Sequence, residues 1–197
     1  SSGYAIMQLL SDLHRGGPLG PFQETQNIKQ ADVIMLLYLM RDRYDEWTKK
    51  ANWEYYEPRT SHDSSLSPMA YSLVAADIGL TEWAYKYFIY TSHIDFDASG
   101  PHWNMGIHAA SLGGAWLAVV HGFCQLILGQ SGPRFTKWPR LPKHWTGVEF
   151  GFEWHGNRIR CTVRQNMLEL RSLSDNPVPI QLPDGQTVLE PGATVTK

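Results

Sequence analysis

Val148-Glu149-Phe150-Gly151-Phe152-Glu153-Trp154 and Arg158-Ile159-Arg160-Cys161-Thr162-Val163 alternate apolar and polar residues on either side of His155-Gly156-Asn157. Period-two alternation puts Val148, Phe150 and Phe152 on one face of a strand, and Ile159, Cys161 and Val163 repeat it on the next. Residues 167–173, 178–182, 187–189 and 194–196 read as further short strands, with Asp184-Gly185 and Pro191-Gly192 marking turns. Short antiparallel strands broken by frequent turns predict a small β-sandwich.

Ahead of Gly129 the pattern is helical. Residues 1–28 are punctuated by Gly16-Gly17-Pro18 and Gly20-Pro21 and read mostly as loop. Residues 30–43 are apolar on nearly every face, which predicts a helix buried between other helices. An amphipathic helix over 45–55 is broken by Glu57-Pro58-Arg59. Ser67 as N-cap and Pro68 at the first helical position open a helix that stops at Gly79. Thr81 caps another, with Ala84, Tyr87, Phe88 and Thr91 on one side. A loop over 95–105 leads to a last helix over 109–128, rich in small residues (Ala109, Ala110, Gly113, Gly114, Ala118). A helical glycine costs about 1 kcal/mol against alanine, so close approach to another backbone or a ligand is the expected reason for it. Residues 133–145 form a basic, proline-rich connector. The expected class is α+β and multidomain, with helical residues 1–132 followed by a β-domain over 133–197. Four or five helices, one apolar all round, do not cover one another, so further helices are expected on the N-terminal side, in the same polypeptide or in a partner chain.

Composition narrows the function. The 197 residues are 43% hydrophobic and 18% charged, which excludes intrinsic disorder. Lys+Arg 17 against Asp+Glu 19 gives a net charge of -2, without the basic stripe of a nucleic-acid binder. Cys124 and Cys161 are too few for a disulfide scaffold and lack metal-ligand spacing. No apolar run reaches the roughly 18 residues of a transmembrane helix, so no membrane partner is expected. The closest run, 109–128, is broken by Gly113, Gly114, His121 and Gly122. The chain opens Ser1-Ser2-Gly3 without Met, as expected of a fragment or processed product. Its 8 Trp and 9 Tyr suit sugar binding and core packing alike.

Three polar clusters lie at helix starts. Lys29-Gln30 precedes the most apolar helix, where Lys could equally snorkel and Gln cap. His62-Asp63-Ser64-Ser65-Leu66-Ser67-Pro68 sets an imidazole, hydroxyls and backbone N–H groups before a helix, an arrangement that favours an anion. A plain Ser/Pro cap explains the same residues. Asp63 argues against an anion unless it is paired or turned away. His108 precedes the small-residue helix, as a ligand contact or as a buried histidine bonded to a carbonyl. His121, mid-helix, reads as structural. Glycoside chemistry commonly needs two carboxyl groups, and the local carboxylates are Glu24, Glu54, Glu57 and Asp63.

The strings Ile28-Lys29-Gln30-Ala31-Asp32-Val33, Tyr55-Tyr56-Glu57-Pro58-Arg59-Thr60 and His62–Pro68 resemble glycoside hydrolase family 65, a family of disaccharide phosphorylases and some hydrolases. Gly106-Ile107-His108, Ser111-Leu112-Gly113-Gly114-Ala115-Trp116 and Gly122-Phe123 continue the resemblance. Pro139-Arg140-Leu141-Pro142 to Leu189-Glu190-Pro191-Gly192 resembles the family's C-terminal β-domain. The resemblance implies the last helices of an (α/α)6 barrel followed by a jelly-roll-like domain. It implies that Lys29 and Gln30 contact glucose, and that His62, Ser64, Ser65 and His108 shape a phosphate site. The family's general-acid glutamate is expected upstream of Lys29, so no catalytic residue is assigned to this chain, and the chain alone is expected to be inactive. The loop 99–105, which helps define the acceptor side, departs from the more acidic stretch common in the family.

These readings converge on the C-terminal part of an inverting phosphorylase that cleaves an α-glucosyl disaccharide with inorganic phosphate to give β-glucose 1-phosphate. Phosphate is then a co-substrate, with no cofactor and no metal. The expected partners are the disaccharide, the missing segment or chain, and further copies in a homo-oligomer, with a cytoplasmic location. The alternatives are a hydrolase of the same family, with Glu57 or Asp63 recruited as base, and a non-catalytic carbohydrate-binding or structural subunit.

Overall fold

The computed structural model describes residues 26–98 and 103–197, in two compact units divided along the chain between Val119 and Val120. That division falls ahead of residue 133. Residues 1–25 of the loop expected over 1–28, Glu24 among them, and residues 99–102 of the acceptor-side loop lie outside the described residues.

The first unit contains helices α1 (Asp32–Leu39), α2 (Glu46–Tyr56), α3 (Ser67–Asp77), α4 (Thr81–His93) and α5 (Ala109–Leu117). Asp45 caps α2, its carboxylate accepting from the Thr48 N–H at 2.7 Å. Glu57–Arg59 then tightens into a single 3-10 turn around Pro58. The helix buried on all sides is α3, not α1 as the apolar run over 30–43 predicts. Ser67 through Ala75 and Asp77 are all buried, and α1, α2, α4 and α5 each pack against α3. Its small residues Ala70, Ser72 and Ala75 let four neighbours approach. In α1 only Ile34 and Leu37 are buried, Leu36 and Leu39 stay exposed, and so does Met40 just past its end. Ser67 does not cap α3 either. Its hydroxyl accepts from the Ala31 N–H at 3.1 Å and ties the start of α1 to the start of α3.

At the far end of α3, Asp77 accepts from Arg41 and from Lys49, the latter at 3.1 Å. This buried triad joins the end of α1, α2 and α3. On α4, Ala84, Tyr87 and Thr91 form the buried stripe, with Phe88 half-buried beside it. The last helix is shorter than the expected 109–128. It ends at Leu117, loosens into a π-turn over Ala118–Phe123, and Leu126–Gly129 is a strand. Gln125, at φ 59, turns the chain there. Gly114 meets the close-packing expectation: a Cβ there would lie 2.6 Å from Met69 Cγ. Gly113 faces open space.

The second unit holds two four-stranded sheets. One comprises β1 (Leu126–Gly129), β2 (Gly132–Phe135), β6 (Val178–Leu182) and β7 (Gly185–Leu189), in the order β1-β2-β6-β7. The other comprises β3 (Val148–Trp154), β4 (Asn157–Arg164), β5 (Met167–Ser172) and β8 (Thr194–Thr196), in the order β3-β4-β5-β8. All pairings are antiparallel except β2 with β6, which is parallel. The expected connector over 133–145 therefore begins inside β2. Alternation is strict where it matters: Ile159, Cys161 and Val163 on β4, Leu168 and Leu170 on β5, and Val178, Ile180 and Leu182 on β6 are buried. Trp154 pairs with Asn157 around His155-Gly156, both at positive φ, the two-residue hairpin geometry that matches strand twist. At Gly132, φ is 141° and a Cβ would stand 2.2 Å from the Pro179 carbonyl oxygen, so only glycine allows β2 to lie against β6.

Candidate functional site

Backbone and side-chain hydrogen bonds tie the segments that carry the three polar clusters to the start of α3. Ile28 N–H donates to Arg59 O and Ser61 N–H to Ile28 O, both at 2.8 Å, forming a short parallel bridge. The bridge lays Lys29 and Gln30, both exposed, beside Ser61 and His62. Ser61 Oγ reaches the Lys29 carbonyl at 3.5 Å, and Gln30 Nε2 donates to Asp32 Oδ1 at 3.0 Å. On the other side, buried Ser111 of α5 donates its hydroxyl to Ser65 O at 3.0 Å. Because the His108 carbonyl accepts from Ser111 N–H at 2.9 Å, the start of α5 is anchored to the Ser64-Ser65 turn.

His62 sits at φ 55, in the left-handed region, with only 2% of its surface exposed. Its ring packs edge-on to Tyr71 and tilted over Tyr87, with centroids 5.0 and 5.2 Å away. Burial lowers its pKa from 6.5 to about 3, so the imidazole is neutral. Nε2 lies 3.3 Å from Tyr87 OH, and Tyr87 OH donates to Glu57 Oε1 at 2.8 Å. Nδ1 is buried without a hydrogen-bond partner. Burial, reinforced by the Glu57 charge, raises the Tyr87 phenol well above 10, and burial likewise raises Tyr71, whose OH shares a 2.6 Å bond with Thr60 Oγ1. These aromatics, with Trp53 donating to Tyr71 O at 3.2 Å, belong to the core.

Ser64 and Ser65 are half-buried, and Ser64 O accepts from Ser67 N–H at 3.0 Å. With that N–H engaged and Pro68 lacking one, the first turn of α3 offers an anion less than an open helix start does. The donors left are the hydroxyls and amides of the turn itself. His108 is held by Asp95, whose carboxylate accepts from the His108 N–H at 2.8 Å and faces Nδ1 at 2.6 Å. The partner is thus a carboxylate and not a carbonyl. Of the local carboxylates, Glu54 lies on the surface near Lys50, Asp63 is half-buried, and Glu57 is tied to Tyr87. Sequence reasoning missed Tyr87, Asp95 and the tie through Glu57, since nothing local marks a tyrosine 25 residues from His62 or an aspartate 13 residues from His108 as its partner. No group of three metal-ligating side chains occurs among the described residues.

Residues 17–117 match the family model for the glycosyl hydrolase family 65 central catalytic domain, and residues 135–189 match that for the family 65 C-terminal domain. The chain is 39% identical to alpha,alpha-trehalose phosphorylase of Thermoanaerobacter brockii, over 85% of this chain and 21% of that protein. It is 39% identical to kojibiose phosphorylase of Halothermothrix orenii, over 77% of this chain and 19% of the relative. It is also 39% identical to 1,2-alpha-glucosylglycerol phosphorylase of Bacillus selenitireducens, over 87% and 23%. The chain therefore spans about a fifth of the length of these relatives. A solved structure of a putative kojibiose phosphorylase from human microbiome superposes with a TM-score of 0.78 at 29% identity, covering 88% of this chain and 25% of that one. Two family models matched in chain order, over a fold shared with a solved relative, make this chain a member of glycoside hydrolase family 65.

Proposed function

We propose that this chain is the C-terminal portion of an inverting phosphorylase that cleaves an α-glucosyl disaccharide with inorganic phosphate and releases β-glucose 1-phosphate. The five helices are then the last of an (α/α)6 barrel, and the two sheets a jelly-roll-like domain. The observation that carries this reading is the turn from His62 to Ser65, in which half-buried Ser64 and Ser65 follow a buried, neutral imidazole with an unpartnered nitrogen. Such a turn suits a bound oxyanion better than it suits activation of water. An inverting hydrolase needs a carboxylate base about 6.5–9.5 Å from its acid, and Glu57 here accepts the Tyr87 hydroxyl. In phosphorolysis a phosphate oxygen attacks the anomeric carbon from the face opposite the leaving sugar. The glycosidic C–O bond breaks as an acid, which the family resemblance puts upstream of Lys29, protonates the departing oxygen. Lys29 and Gln30 hold the glucosyl ring, while His62, Ser64, Ser65 and His108 hold phosphate. No resident cofactor or metal is required.

The test is turnover of α-glucosyl disaccharides by the complete enzyme carrying this chain, with and without phosphate. Cleavage that depends on phosphate supports the reading, and equal cleavage without phosphate overturns it in favour of hydrolysis. In the hydrolytic case Glu57→Gln or Asp63→Asn abolishes water-dependent cleavage while sugar binding is retained.

A further inference from the structure

The basic, proline-rich stretch that follows β2 builds a cleft within the β-unit that the proposed reaction does not use. Past Phe135 the chain is pinned at Arg140, whose backbone N–H donates to Phe123 O at 2.9 Å, and at Leu141 and Pro142, both buried. The rings of Trp145 and Phe123 then pack edge to face, with centroids 5.3 Å apart. Gln165-Asn166, the turn between β4 and β5, reaches back to this stretch. Gln165 Nε2 donates to Pro142 O at 2.9 Å and to Trp145 O at 3.0 Å. Connector and hairpin enclose a cleft of about 450 Å³, lined by Trp138 and Arg140 on one and by Arg164, Asn166 and Met167 on the other. That volume falls in the range of roughly 300–1,000 Å³ typical of small-molecule sites.

Its charge is one-sided. Arg140, Arg164 and Lys197 line the cleft, and no Asp or Glu is among the lining residues. Lys197 is answered by Asp184, to which its Nζ donates at 2.9 Å. Arg140 and Arg164 have no carboxylate partner among the described residues. Two guanidiniums without a counter-charge favour an oxyanion, because each planar fork matches a pair of phosphate oxygens. The same cations repel a metal ion, and a neutral sugar leaves both uncompensated. A net charge of -2 on the chain disfavours a nucleic-acid strand. Trp138 exposes 42% of its surface and offers a flat apolar face beside the cations. We propose that this cleft is an accessory site for a phosphorylated hexose. The phosphate lies between Arg140 and Arg164, the sugar ring lies against the Trp138 indole, and the exposed Asn166 amide meets ring hydroxyls. The cleft shares no residue with the turn from His62 to Ser65, so the site stands independently of the phosphorylase reading.

The experiment titrates the complete enzyme carrying this chain with glucose 6-phosphate, inorganic phosphate, glucose and adenosine monophosphate, each alone, by calorimetry at constant ionic strength. Three forms are compared: native, Trp138→Ala, and Arg140→Gln combined with Arg164→Gln. The substitutions fall on exposed side chains outside the proposed catalytic machinery, so thermal stability and disaccharide turnover are expected to stay at native values. Binding at the cleft is the component of each titration that the double variant loses. For glucose 6-phosphate that component is expected to weaken by about 10- to 100-fold in the double variant, the worth of one hydrogen bond to a charged group. Trp138→Ala is expected to weaken it several-fold. With phosphate alone or glucose alone the component is expected to be weaker than with glucose 6-phosphate. Native titrations with glucose 6-phosphate that coincide with those of either folded variant overturn the proposal. A phosphate component as tight as that of glucose 6-phosphate leaves the ring without a role and overturns it too. A tighter component with adenosine monophosphate does the same, by assigning a nucleotide. Dependence of disaccharide cleavage on phosphate is read separately and bears on the phosphorylase reading alone.

Discussion

His62 and His108 are held by different chemistry, and each predicts a different response. Burial keeps the His62 pKa near 3 in the folded chain against 6.5 when free. Between those pH values the unfolded chain takes up a proton that the folded one refuses. This residue's contribution therefore makes the fold less stable as pH falls from about 6.5 to about 3. Urea melts of the protein and of His62→Gln at pH 7 and pH 4 check this: the variant is expected to lose less stability on acidification, and an identical loss contradicts it. At His108 the carboxylate of Asp95 accepts from both the backbone N–H and the ring. Asp95→Ala leaves both without that acceptor, and is expected to cost about 1–3 kcal/mol in a thermal or denaturant melt.

Among the elements, α3 decides how the helical unit is built, and its neighbours test that directly. Gly114→Ala sets a Cβ against Met69 at 2.6 Å, and overpacking of this kind costs about 1–3 kcal/mol. Gly113→Ala meets nothing within 4 Å and is expected to stabilise α5 by up to about 1 kcal/mol through helix propensity. Opposite shifts in melting temperature from adjacent glycines are the expected result. Asp77→Ala removes the carboxylate that Arg41 and buried Lys49 share, and is expected to cost about 3–5 kcal/mol by the same melts. The strands of the β-unit are legible because each buries one face, and period two reports that face directly. Helix burial is less legible. The run from Ala31 to Met40 is more apolar than α3, yet α3 is the buried helix, because burial follows how many neighbours pack on a helix. The end of α5 is hidden for a similar reason: apolar Leu126, Ile127 and Leu128 fit helix or strand equally, and only β1 pairing with β2 decides for strand.

For the whole molecule, α+β organisation, family membership and the order of helical and β-units are all visible in the residues. Motifs at helix starts carry the family, and they are local. What they leave out is long-range pairing: the parallel contact of β2 with β6, the Asp77 triad, and the Glu57–Tyr87–His62 connection each join residues far apart in sequence. The proposed phosphorolysis rests on the turn from His62 to Ser65. The product formed by the complete enzyme from an α-glucosyl disaccharide and phosphate, identified by proton and phosphorus NMR at early times, tests it most directly. The account predicts β-glucose 1-phosphate in equimolar amount with the released sugar. Free glucose in place of the phosphate ester, at a rate indifferent to phosphate, would contradict it.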